Sequence, residues 1–79
     1  MADDSKAREN RARRAAQRQG YRLVKNPRRD RRAIGFGGYR ITDPQTGAVI
    51  MSFGWDERPG PADRLAEAEA WLQEAEART

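Results

Sequence analysis

Five cations fall within eight positions at Lys25, Arg28, Arg29, Arg31 and Arg32. A cluster of that density can neutralise several phosphates and release their counterions. Arginine adds bidentate contacts to phosphate oxygens or to guanine edges. Asp30, in its midst, either braces neighbouring arginines or only lowers the local charge. A second set, Arg11, Arg14 and Arg18, falls within about 60° of arc if its segment is helical. A third, Arg22, Arg40 and Thr42, shares one face if its segments are strands. All three sets suit the binding of a polyanion; the plain alternative for each is a solvated basic surface.

Catalytic groups are scarce. The chain has no Cys and no His, which removes disulfides, Cys/His zinc sites, thiol nucleophiles and imidazole acid–base chemistry. No carboxylate pair sits in a catalytic context, no serine is framed as a nucleophile, and no glycine loop carries a phosphate-binding lysine at the required spacing. We therefore expect no enzymatic activity, no cofactor and no metal.

The 79 residues include 16 Lys and Arg against 12 Asp and Glu, a formal charge of +4. The charge is unevenly spread: through Arg40 there are 13 basic and 4 acidic residues, and after it 3 and 8. Such asymmetry suggests a polyanion-binding half beside a structural or partner-facing half. The competing reading is that the halves lie against each other and neutralise. Because 14 of the 16 basic residues are Arg, as a GC-rich genome produces unselected, their placement carries more information than their number. No apolar run approaches the ~18 residues of a membrane span, and residues 1–20 have only Met and Ala as apolar types. We expect a cytoplasmic protein, nucleoid-associated if it binds DNA.

The elements that must position these residues follow from local pattern. Residues 3–19 read as a helix, with Asp3, Asp4 and Ser5 as N-cap types, Asp4–Arg8 and Glu9–Arg13 as i,i+4 pairs, and Gly20 as terminator. Its apolar strip is only Ala12, Ala15 and Ala16, so residues 1–19 form either a basic helix laid on a sheet or a partly ordered arm. Residues 21–25, 39–42 and 48–53 read as strands. Between the last two, Asp43, Pro44 and Gly47 mark a hairpin. Pro59, Gly60 and Pro61 end the sheet and open a second helix, with Gly60 as N-cap, Pro61 in its first position and Leu65, Ala68, Leu72 and Ala75 as its apolar stripe. The predicted order is α-β-β-β-α, an α+β fold with a small antiparallel sheet between an N-terminal and a C-terminal helix.

Strand alternation sends Tyr21, Leu23, Tyr39, Ile41, Met51 and Phe53 under the helices, and Arg22, Val24, Arg40, Thr42, Ile50 and Ser52 to the other face. The 28–32 loop and the Arg11–Arg14–Arg18 row are expected to extend that second face into one positive area. Phe36 belongs to the core or stacks on a base; Trp55 and Trp71 are expected to pack together or under the sheet edge. The helical Glu67, Glu69, Glu74 and Glu76 form a solvated face or meet a partner. Residues 20–79 make one domain whose core is small: 13 of the apolar residues are Ala and 16 are larger. A chain of this size buries only about 60% of its unfolded surface, so we expect a monomer or weak homodimer of marginal stability.

Tyr21-Arg-Leu-Val-Lys25, Ile41-Thr-Asp-Pro-Gln-Thr-Gly47, Val49 to Phe53 and the Ala/Glu-rich helix together resemble the APETALA2/integrase-arm type of DNA-binding domain over residues 21–77. That resemblance implies a three-stranded sheet in the DNA major groove with Arg22, Lys25 and Arg40 as strand contacts. The chain lacks that family's tryptophans on the first strands and has a longer connection over 26–38. The run from Arg13 to Lys25, with Gly37-Gly-Tyr39, is also similar to small uncharacterised basic proteins of actinobacteria, their plasmids and phages, a resemblance that implies no established activity. The double-stranded-RNA-binding domain shares the element order, but its second helix opens on a Lys-rich motif where this chain has Pro61-Ala-Asp-Arg-Leu65. Ile34-Gly-Phe-Gly-Gly-Tyr39 resembles part of the RNA-recognition-motif octapeptide, whose fold needs a different element order.

The expected partner is duplex DNA. Arg22, Arg40 and Thr42 would meet base edges, and Lys25, Arg28, Arg29, Arg31 and Arg32, with Arg11, Arg14 and Arg18, would meet phosphates. The alternatives are a protein-interaction module that meets an acidic protein, such as a phage- or plasmid-encoded inhibitor, and double-stranded-RNA binding.

Overall fold

A computed structural model describes residues 3–78, with side chains from Lys6 onward. The N-cap reading of Asp3, Asp4 and Ser5 and the Asp4–Arg8 pair lie outside the described side chains. The order is α1 (Asp3–Arg18), β1 (Arg22–Lys25), β2 (Tyr39–Thr42), β3 (Val49–Phe53) and α2 (Arg64–Ala77). The fold is the α-β-β-β-α arrangement expected, with an open antiparallel sheet in the order β1-β2-β3.

Helix α1 ends where Gly20 takes a φ of 82°. There the Tyr21 N–H reaches back to the Ala16 carbonyl at 2.8 Å and the Gly20 N–H to Gln17 at 3.0 Å. That double bond pattern turns the chain sharply into β1 and needs a residue free to be left-handed. Ala12 and Ala16 are buried in the core. Their small side chains let α1 lie close on β1, with larger residues outward.

The β2–β3 hairpin closes as its residues dictate. The Asp43 carboxylate accepts from the Gln45 N–H, and its carbonyl accepts from Gly47 at 2.7 Å. Gly47 adopts a φ of 76°. Helix α2 departs from expectation at its start: the N-cap is Asp63, not Gly60. The Asp63 side chain accepts from the Ala66 N–H at 3.0 Å. Aspartate satisfies an orphan donor that glycine cannot, so the helix begins at Arg64.

The core comprises Leu23, Tyr39, Ile41 and Phe53 from the sheet beneath Ala12, Ala16, Leu65, Ala68 and Leu72 from the helices. Trp71 packs edge-on against Tyr21, ring centroids 5.5 Å apart. Met51, expected under the helices, pairs with Ile41 on the correct face yet stays 42% exposed. It sits on the edge strand, where the helical layer does not cover it. Phe36 is half-buried and stands outside the core cluster. Among the described residues no helix is long and apolar enough to cross a membrane.

Candidate nucleic-acid interface

The sheet face turned away from the helices is built by register. Arg22 opposes Thr42, Val24 opposes Arg40, and Arg40 opposes Ser52. A bulge between Ile41 and Thr42 then leaves Val49 and Ile50 together beside Thr42. The face thus carries Arg22, Arg40, Thr42 and Ser52 with Val24 among them, and it turns apolar at the start of β3, where Val49 is 51% and Ile50 41% exposed.

Arg40 is the ordered cation of this face. Its guanidinium lies over the Trp55 ring, 4.0 Å from the centroid, and its Nε is buried without a hydrogen-bond partner. Stacking on an indole holds the planar group without a carboxylate to neutralise it. The expected packing of Trp55 with Trp71 is therefore corrected: the two rings serve opposite sides of the sheet. Trp55 is a residue of the face that sequence alternation did not find, because it lies one glycine beyond β3.

The position of Trp55 is set by its backbone. Asn26 is only 6% exposed. Its amide donates to the Trp55 carbonyl at 3.3 Å and accepts from the Arg28 N–H at 3.1 Å. The Gly35 N–H donates to the Glu57 carbonyl at 2.8 Å. A Cβ on Gly35 would fall 2.2 Å from the Trp55 carbonyl oxygen, and one on Gly38 would fall 2.7 Å from that of Gly54. The glycines of the 26–38 connection thus allow the close backbone approach that pins this loop against residues 54–57.

The predicted cations are not all on one surface. Arg22 and Arg40 are on the open face. Lys25, by alternation, is on the helix side, where it pairs with Glu9 at 3.0 Å. The arginines at 28, 29, 31 and 32 are exposed at the end of the sheet; the first three line a cleft toward the helices. Arg11, Arg14 and Arg18 are exposed on the outer side of α1, away from the sheet. The expected continuous area is therefore divided, because α1 packs by its alanines and so turns the row from the open face. None of these nine arginines other than Arg40 makes a charge or stacking contact with another described side chain.

Opposite charges meet at the helix ends instead. Arg8 bonds Glu69 at 2.6 Å and Asp63 at 3.2 Å, which raises its pKa further above the ordinary arginine value. The backbone bond from Ala66, assisted by Arg8, holds the Asp63 carboxyl below its usual range against partial desolvation. Burial works to raise Glu9, but hydrogen bonds from Tyr39 and Lys25 outweigh it and leave the carboxyl low. Tyr39 is pushed well up, first by burial and then by donating to Glu9 at 2.7 Å. Arg13, the i,i+4 partner expected for Glu9, adds only a weaker charge attraction behind these tertiary partners. Arg64 spans Glu57 and Glu67.

No group of described His, Cys, Asp or Glu residues could hold a metal ion. No family model, curated protein or solved structure matches the chain.

Proposed function

We propose that this chain binds duplex DNA through the open face of its sheet. The observation that carries the reading is the Arg40–Trp55 stack, beside Arg22, Thr42 and Ser52, on a face where neither arginine has a carboxylate partner. Three strands about 4.8 Å apart form a ribbon roughly 10 Å across between outer axes, on the scale of a major groove about 12 Å wide. Arg22 and Arg40 serve base edges, and the arginines at the sheet end hold the backbone. Fluorescence anisotropy of a labelled duplex at two salt concentrations tests it, with duplex RNA of the same sequence in parallel. Binding that weakens steeply with salt and falls in Arg22→Ala and Arg40→Ala is expected. A duplex that both variants bind as well as the parent ends the proposal.

The exposed Val49 and Ile50 on the same face favour one second reading, a protein partner whose acidic rim meets Arg22 and Arg40. Direct competition between duplex DNA and an acidic protein for the face separates the two.

A further inference from the structure

On the helix side of the molecule the 26–38 loop, the end of β1 and the start of α2 enclose a cleft of about 690 Å³. That volume falls within the range of small-molecule sites, about 300–1,000 Å³. We infer that this cleft binds a nucleoside 5′-polyphosphate; neither Arg22 nor Arg40 lines it, whereas Arg28, Arg29 and Arg31 belong both to it and to the sheet end proposed to hold the DNA backbone.

The charges in the cleft are of two kinds. Arg8, Lys25 and Arg64 are each held by carboxylates. Arg28, Arg29, Arg31 and Arg58 also line it, and none of them pairs with a described carboxylate. The carboxylates in the wall are already engaged: Glu9 accepts from Tyr39 and Lys25, and Asp63 caps α2 and meets Arg8. An incoming anion therefore meets four uncompensated guanidinium groups and no free negative charge among the described lining residues. Guanidinium forks match phosphate oxygens in pairs.

Phe36 distinguishes a nucleotide from a simple anion. It lines the same cleft, half-buried, and is not part of the core cluster. An aromatic face beside a phosphate-binding cluster offers a base its stacking surface. A compact chain of phosphates with one planar ring fits a recess of this volume.

Isothermal titration of the full chain at low ionic strength tests the inference, with ATP, tripolyphosphate and adenosine as probes. ATP is expected to bind about tenfold more tightly than tripolyphosphate, the increment of one stacked base, and adenosine to give no measurable heat. Phe36→Ala should bring ATP to the level of tripolyphosphate and leave tripolyphosphate unchanged. Arg28→Ala with Arg31→Ala should weaken both at least tenfold, and Arg40→Ala, on the other face, should weaken neither. Circular dichroism and melting of each variant confirm that the chain is folded. Absence of ATP binding, equal binding of ATP and tripolyphosphate by the parent, or indifference to the Arg28/Arg31 change each overturns it.

Discussion

The guanidinium of Arg40 rests 4.0 Å from the ring centroid of Trp55, so a cation on the open sheet face is held by an aromatic plane and not by an acid. Its charge is left for a partner. Arg40→Ala is expected to reduce affinity for a preferred duplex by about 1–3 kcal/mol, the worth of a bidentate base contact. Arg40→Lys should restore little, since an ammonium has neither the fork nor the plane. Trp55→Ala should lose about 0.5–1 kcal/mol through the stack alone, and Trp55→Phe less. Anisotropy titrations of the four variants check this; unchanged affinity in Trp55→Ala would show that the ring does not position Arg40.

Gly35 and Gly37 both have positive φ, 89° and 75°, but only Gly35 faces a neighbour. Its added Cβ would meet the Trp55 carbonyl oxygen and the Asn26 amide, while one on Gly37 meets nothing within 4 Å. Gly37→Ala should therefore destabilise by about 1 kcal/mol through backbone strain. Gly35→Ala should do so by about 1–3 kcal/mol and also displace Trp55. Chemical denaturation of the two variants, with duplex affinity measured beside it, separates strain from displacement: only Gly35→Ala should lose binding.

The pairing of these glycines with residues 54–57 shows what was legible in the sequence and what was not. Local rules sufficed for the element order, for Gly20 as a helix terminator and for the Asp43–Gly47 hairpin, because each depends on neighbours in the chain. For the start of α2, Gly60 with Pro61 and Asp63 are both acceptable openings, and only the Asp63–Ala66 bond decides between them. Resemblance groups Lys25 with Arg22 and Arg40, although strand alternation opposes it. Asn26, Trp55 and the cleft could not be read at all: each depends on contacts between segments about 30 residues apart, and no periodicity records those.

The Tyr39–Glu9 bond makes stability depend on pH at both extremes. Glu9 and Asp63 titrate below their ordinary values of 4.5 and 3.8. Their folded forms therefore favour the carboxylate, and the stability they add is present above those values and lost as pH falls through the lower folded ones. Tyr39 titrates above its ordinary 10.0, so its contribution is complete below pH 10 and is lost as pH rises toward the folded value. Thermal melts across pH should show a plateau between these limits. Glu9→Gln should flatten the acid limb, because it removes one of the two depressed carboxylates, and Tyr39→Phe should flatten the alkaline one. An acid limb identical in Glu9→Gln would assign the acid sensitivity to Asp63 alone.

The row Arg11, Arg14 and Arg18 offers the sharpest test of which side would meet DNA in the proposed complex. The molecule is 18 Å through its thinnest dimension, and α1 puts this row beyond the helical layer, whereas Arg22 and Arg40 lie beyond the sheet. One straight duplex reaches one side or the other. Each phosphate contact adds about 0.9 to the slope of log affinity against log salt. If the sheet face binds, changing all three arginines to Ala should leave that slope and the sequence preference unaltered, while Arg22→Ala changes the preference. A slope that falls by nearly three in the triple variant would instead place the phosphates on α1 and make the sheet face, with its exposed Val49 and Ile50, the surface for a protein.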